Sequence, residues 1–230
     1  MRVFGIFAKH PLPGVVKTRL AVDVGADAAA EFYNAFLSDL THRFADVADQ
    51  RWLGYSPNTP ESRSWFEQFA SGRFRLWEQP EGDLGLRMEE FFADAFIAGA
   101  TQVVLIGSDS PTLPIELVDE AYRQLPAHHA VLGPAQDGGY YLIGLRQTWL
   151  GLLHGVRWST PDAFNDTLQR FRCAEFQTAL LPGWTDVDTV DDLLILSEQY
   201  AMLRSENPTR PASWTETCIH RHLGDRAAVK

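Results

Sequence analysis

The chain has 230 residues, 45% hydrophobic and 12% aromatic, enough to bury a full core, and this excludes wholesale disorder. Thirty acidic against twenty basic residues give a formal net charge of -10, which argues against a nucleic-acid binder, since that would need a cationic face, and equally against a membrane-surface role. Cys173 and Cys218 stand far apart without an accompanying histidine pattern, so neither a disulfide framework nor a zinc site is read, and a reducing cytoplasm is the expected location.

Taken from the N-terminus, residues 2–7 read as a buried strand. Asp23 to about Asp46 reads as a helix, with Phe32, Ala35, Phe36 and Leu40 at helical spacing. Arg51 to Tyr55 is a second strand ending in the turn-rich Ser56-Pro57-Asn58-Thr59-Pro60. A helix around Trp65 to Phe69 and a short strand from Phe74 to Glu78 follow, and then a helix from Gly82-Asp83-Leu84-Gly85 through about Gly99. Gln102 to Gly107 is the apolar run expected of a central parallel strand. A helix from Pro114 to Leu125, strands at Ala130 to Gly133 and Tyr140 to Leu145, and a late helix from Asp191 to about Leu203 complete the order. This alternation predicts a mainly parallel sheet flanked by helices. Residues 1–204 are expected to form one domain, and the polar residues 205–230, with Pro208 and Pro211, a loosely packed tail or partner-contacting extension. No signal peptide and no run of about 18 apolar residues is read.

Polar and glycine residues gather where apolar strands end. Lys9, His10, Lys17 and Arg19 follow the first strand in a chain that is otherwise acidic, which suits an anionic ligand, phosphate above all. Gly14 after Pro13 permits close backbone approach, and Lys17 and Arg19 are read on phosphate oxygens. The loop is neither a Walker A motif nor a G-x-G-x-x-G fingerprint. Asp109 follows the most apolar strand, where a carboxylate can hold a divalent cation, though it or Ser110 could simply cap the next helix; Ser108 is a candidate donor to the nucleotide. Asp137, beside Gly138-Gly139, is read as binding or activating the acceptor, against the plain alternative of a turn. Asp186 and Asp188 alternate in an extended segment and so point the same way; either could be the second metal ligand, whereas Asp191 and Asp192 suit a helix N-terminus. Arg87 could meet a base or phosphate, with Asp83 as a helix cap. Trp158 precedes a helix capped by Ser159 or Thr160, either stacking on a ligand or buried.

Together, Lys9 to Leu20, Gly82 to Gly85 with Arg87-Met88, Gly107 to Pro111, Gly133 to Tyr141, Trp158 to Thr160 and Asp186 to Thr189 resemble a bacterial family. It is the one once called domain of unknown function 2064, described as glycosyltransferase A-like and part of the nucleotide-diphospho-sugar transferase superfamily. The resemblance runs from residue 1 to about 200 and implies a three-layer α/β/α Rossmann-like fold with Mg²⁺ or Mn²⁺ as cofactor. It is also distantly similar to molybdenum-cofactor and phospholactate nucleotidyltransferases. One departure is Leu86, where an acid is expected.

The resulting expectation is a metal-dependent glycosyltransferase moving a sugar from a nucleoside diphosphate sugar to a small-molecule acceptor. In it Asp137 and Lys17 are catalytic, Lys9, Gly14, Lys17, Arg19, Arg87 and Ser108 bind the nucleotide, and Asp109, Asp186 and Asp188 supply the metal ligands. A nucleotidyltransferase using a nucleoside triphosphate is the alternative within enzymes, and a non-catalytic nucleotide-binding protein the alternative outside them. No nucleic-acid or membrane partner is expected, and a homo-oligomer is compatible with the sequence.

Overall fold

The computed structural model describes residues 1–224. In chain order the elements are β1 (Arg2–Lys9), α1 (Thr18–Val24), α2 (Ala26–Arg43), β2 (Gln50–Ser56), α3 (Pro60–Ala70), β3 (Arg75–Glu78), α4 (Leu84–Ile97) and β4 (Gln102–Ile106). They continue with α5 (Ile115–Gln124), β5 (Ala130–Pro134), β6 (Tyr140–Leu145), α6 (Ala163–Cys173), β7 (Thr178–Leu180), α7 (Val190–Glu206) and α8 (Trp214–Leu223). Two compact units result: Met1–His10, Arg43–Gly107 and Leu113–Thr185 form the larger, and Pro11–His42, Ser108–Thr112 and the described residues from Asp186 to Gly224 form the smaller. No described helix is long and apolar enough to cross a membrane.

The larger unit is a seven-stranded sheet in the order β3-β2-β1-β4-β6-β5-β7. β1 pairs in parallel with β2 and β4, β2 with β3, and β5 with β7, while β6 runs antiparallel to both β4 and β5. The mainly parallel sheet expected from the sequence is therefore present, with one reversed strand. Its cause is local: only Ala135 to Gly139 join β5 to β6, whereas a parallel crossover needs roughly a dozen residues. Gly138, at φ 89°, makes the turn, and a Cβ there would fall 2.1 Å from the Pro161 carbonyl oxygen. Val3, Trp52, Phe91, Phe92, Val103, Leu105, Leu132, Ile143 and Phe171 build the core of this unit.

Helix starts follow side-chain chemistry. Thr59 accepts from the Ser62 N–H ahead of Pro60, Asp83 accepts from the Leu86 N–H, and Thr189 with Asp192 forms a reciprocal capping box on α7. At α6, neither Ser159 nor Thr160 is the cap: the helix begins after Asp162 without a side-chain cap, and the Thr160 hydroxyl donates to the Arg157 carbonyl. The helix expected over Asp23 to Asp46 is two helices, because the chain leaves helical geometry at Gly25. β7, only three residues long, has too short an apolar pattern to be read in advance.

In the smaller unit α1, α2, α7 and α8 enclose Leu20, Phe32, Phe36, Leu193, Leu196, Cys218 and Ile219. Residues 205–224 are thus not a loosely packed tail. Ser213 caps α8, the Asp39 carboxylate on α2 accepts from the Trp214 and Thr215 N–H groups, and buried Glu216 binds Arg204 and Arg210. A mixed polar composition hid this helix, since its buried stripe is narrow. Residues 225–230 of the expected tail lie outside the described residues.

His10, grouped by sequence with the loop cations, is buried in the larger unit. Its ring lies 5.3 Å from Trp65 and its Nδ1 3.0 Å from the Ser62 hydroxyl. Burial lowers its pKa below the ordinary 6.5, with Glu61 opposing in part. The unfolded chain therefore takes up this proton before the folded one does, so the contribution to stability is complete above the ordinary histidine value and is lost as pH falls. Thermal melts at about pH 7.5 and about pH 5.5 are expected to show a smaller acid-induced loss for His10→Gln than for wild type.

Candidate functional site

The smaller unit gathers the loop that follows β1, the loop that follows β4 and the segment ahead of α7. In the first loop Leu12 to Val15 closes a turn through the Val15 N–H and the Leu12 carbonyl, 3.1 Å apart. Pro13 and Gly14 (φ 76°) occupy the two central positions, as a type II turn requires. The chain then places Lys17 at φ 47°, ψ 46°, a left-handed conformation that costs a lysine roughly 1–2 kcal/mol.

That conformation sends the Lys17 side chain inward, where it is 3% exposed. Its ammonium forms an ion pair with Asp109 Oδ1 and donates to Asp188 Oδ1 at 2.8 Å, with the Phe36 ring centroid 5.6 Å away. Burial by itself would lower the Lys17 pKa, but Asp109 and then Asp188 outweigh it and raise it above the ordinary value. Lys17 is therefore a permanent cation whose charge is committed to two carboxylates. The arrangement is pinned from behind: the Val187 N–H donates to the Asp109 carbonyl at 2.9 Å, and Asp192 Oδ2 accepts from the Asp188 N–H at 2.9 Å and the Thr189 N–H at 2.8 Å.

Asp186 takes another direction. Its Oδ1 accepts from the Ser110 hydroxyl, while Asp188 pairs with Lys17 alongside Asp109. Arg19, 74% exposed, reaches Asp188 Oδ2 at 3.5 Å and leaves most of its guanidinium in solvent. The buried Ser108 hydroxyl pairs with the Tyr33 hydroxyl at 2.6 Å, a partnership that sequence spacing could not reveal. Asp109 and Asp188 side chains are 47% and 34% exposed. Two hard, part-exposed carboxylates around one lysine leave a net negative charge, a donor set that fits Mg²⁺ or Mn²⁺.

The remaining sequence candidates belong to the larger unit. Lys9 ends β1 with an exposed side chain. Arg87 Nε donates to the Gly82 carbonyl at 3.0 Å and its Nη1 reaches Gln79 Oε1 at 3.5 Å. Gln79 itself is buried and donates to the Gly54 and Ala8 carbonyls, a support for Arg87 that no motif announced. Asp83 caps α4, and Leu86 is exposed. Asp137 is exposed in the β5–β6 turn, where its Oδ1 accepts from the Gly139 N–H at 2.9 Å. Trp158 is half-buried against the core, 6.3 Å from Tyr140, the structural of its two readings.

The fold is of the nucleotide-diphospho-sugar transferase type, and the protein is a transferase. The chain belongs to the family described as uncharacterized protein conserved in bacteria (DUF2064), whose model matches residues 40–160. Among solved structures, a candidate nucleotide-diphospho-sugar transferase of Desulfovibrio desulfuricans is 35% identical, covering 98% of this chain and 96% of that one with a TM-score of 0.88. The inositol-1-phosphate CTP transferase of T. maritima shares the fold at 14% identity, 92% and 98% coverage and a TM-score of 0.58. The 4-diphosphocytidyl-2C-methyl-D-erythritol synthase of Anaerococcus prevotii does so at 12% identity, 88% and 96% coverage and a TM-score of 0.56. Comparison with curated proteins finds no match.

Proposed function

We propose that the protein is a metal-dependent glycosyltransferase that takes a sugar from a nucleoside diphosphate donor and passes it to a small-molecule acceptor. The observation that carries the reading is the buried Lys17 held between Asp109 and Asp188, in a chain alike over nearly its whole length to a candidate nucleotide-diphospho-sugar transferase. Asp109 and Asp188 are the residues that would hold Mg²⁺ or Mn²⁺, and Asp186, turned to Ser110, drops to a supporting role. Lys17, assigned to phosphates on sequence grounds, is reassigned here to setting the spacing and charge of the two carboxylates. A bound divalent cation would neutralise charge on the departing nucleoside diphosphate.

Arg19, exposed on α1, takes the phosphate contact, with the Gly14 turn of the same unit offering open backbone, and Lys9 and Arg87 of the larger unit keep the nucleotide-binding role read from their sequence positions. The Ser108 hydroxyl, tied to Tyr33, positions its loop. Asp137 addresses the acceptor hydroxyl through Oδ2, since Oδ1 serves the turn. Free Cys173 and Cys218 suit a reducing cytoplasm.

Arg19→Ala is expected to weaken nucleoside diphosphate binding by about 1.5–3 kcal/mol, the worth of a charged hydrogen bond, while the melting temperature stays nearly constant. Titration calorimetry beside a thermal melt checks both halves. The likeness to the CTP transferase fold favours one second reading, nucleotidyl transfer from a nucleoside triphosphate. Mass spectrometry of the phosphate species released in the presence of Mn²⁺, donors and acceptors separates the two. Nucleoside diphosphate release supports sugar transfer, and pyrophosphate as the sole acceptor-dependent product replaces it with nucleotidyl transfer.

A further inference from the structure

A second cluster of ligating side chains lies in the smaller unit, on α2 and α8, and the proposed reaction makes no use of it. Cys218 and His222 are four residues apart on α8 and so share one face of the helix. Glu31 on α2 meets them: His222 Nε2 lies 2.8 Å from Glu31 Oε2, and the thiol, imidazole and carboxylate ligand atoms all fall within 4.8 Å of one another. We propose that Glu31, Cys218 and His222 bind one Zn²⁺ ion that clamps α8 to α2.

The donor set decides the metal. A thiol with an imidazole is a soft and borderline pair that suits zinc and is foreign to Mg²⁺ or Ca²⁺, and a carboxylate is a third donor type that zinc accepts. With metal–ligand bonds of about 2.0–2.3 Å, the edges of a tetrahedron are roughly 3.3–3.8 Å, so the ligand atoms need shift by only about an ångström. The proton between Glu31 and His222 gives way to the ion: the imidazole stays neutral with its proton on Nδ1, and Cys218 releases its Sγ proton to solvent. The thiolate and the carboxylate then cancel the charge of Zn²⁺, a requirement for a site whose cysteine is buried.

The surroundings also fit. The Phe32 ring packs 5.5 Å from the His222 ring and holds it in place, and Arg221 Nη1 lies 3.2 Å from Glu31 Oε2, giving that carboxylate an outer partner. A cleft of about 410 Å³, lined by Glu31, Asn34, Trp214, Cys218 and Arg221, opens beside two of the three ligands. Cys218 and His222 were not paired on sequence because the four-residue Cys-His spacing needs its third ligand from a distant helix.

The test uses the full chain stripped of metal with a chelator and then titrated with Zn²⁺ against a chromophoric competitor. One equivalent is expected to bind and to raise the melting temperature. Co²⁺ in its place should give tetrahedral visible bands with a near-ultraviolet thiolate-to-cobalt band. Cys218→Ser should abolish that thiolate band and His222→Gln should weaken Zn²⁺ at least a hundredfold, beyond the roughly 10–100-fold typical of losing an outer partner. Cys173→Ser should bind as wild type. Absence of stoichiometric binding, a thiolate band that survives Cys218→Ser, or loss of binding in Cys173→Ser would overturn the proposal. Circular dichroism of each variant keeps a folding defect from passing as lost binding, and Glu31→Gln, which leaves the helix faces unchanged, is the substitute if Cys218→Ser fails to fold.

Discussion

Replacing Asp109 and Asp188 together with asparagine is expected to cost about 3–5 kcal/mol of stability, which at this size lowers the melting temperature by roughly 10 °C. The reason is an asymmetry of exposure. The Lys17 side chain is 3% exposed, and its partners are 47% and 34% exposed. Without the carboxylates, a buried ammonium loses both counter-charges and must either deprotonate or remain unpaired. Lys17→Met is expected to cost much less, about 1 kcal/mol, because the two carboxylates it leaves behind are screened by water. Removing all three charges should recover most of the loss of the double variant, since a fully neutral cluster strands no ion. Chemical denaturation of the three proteins checks the order; a double variant no less stable than Lys17→Met would show that Lys17 is not buried as described.

The second large effect falls on activity. Asp109→Asn or Asp188→Asn is expected to lower kcat/KM for sugar transfer by roughly a hundred- to a thousandfold, the scale of losing one preorganised electrostatic contact to a transition state. Asp186→Asn should cost no more than about tenfold, because its carboxylate is engaged by the Ser110 hydroxyl. Steady-state kinetics over a range of Mn²⁺ concentrations distinguishes the cases. Only Asp109→Asn and Asp188→Asn should lose the metal-dependent component. A larger loss for Asp186→Asn than for Asp188→Asn would reverse the assignment of the two alternating aspartates.

The alternation of apolar runs and helical spacing foretold the sheet well, because buried parallel strands such as β4 are continuous apolar stretches that few other elements imitate. The reversal of β6 was legible only in part: Asp137-Gly138 signalled a turn, and a five-residue connection already forbids a crossover. α8 escaped notice because much of what it buries is polar, Glu216 against two arginines and Thr215 under Asp39, and hydrophobic spacing does not register such contacts. In the smaller unit the sequence pointed to loops that the structure brings together, but it attached Lys17 to phosphate and Asp109 to metal as separate roles. Their direct pairing depends on the left-handed backbone at Lys17, a conformation that a lysine gives no reason to expect. The Ser110 contact that tells Asp186 from Asp188 was likewise hidden, since residue spacing does not place that hydroxyl.

The central claim is that Asp109 and Asp188, spaced by Lys17, bind a nucleoside diphosphate donor through a divalent cation. Calorimetric titration of a nucleoside diphosphate into wild type and Asp109→Asn, each with and without Mn²⁺, measures it directly. The account predicts at least tenfold tighter binding with Mn²⁺ in wild type, a difference of about 1.4 kcal/mol, and no such gain in Asp109→Asn. An equal gain from Mn²⁺ in both proteins, or none in wild type, would contradict it.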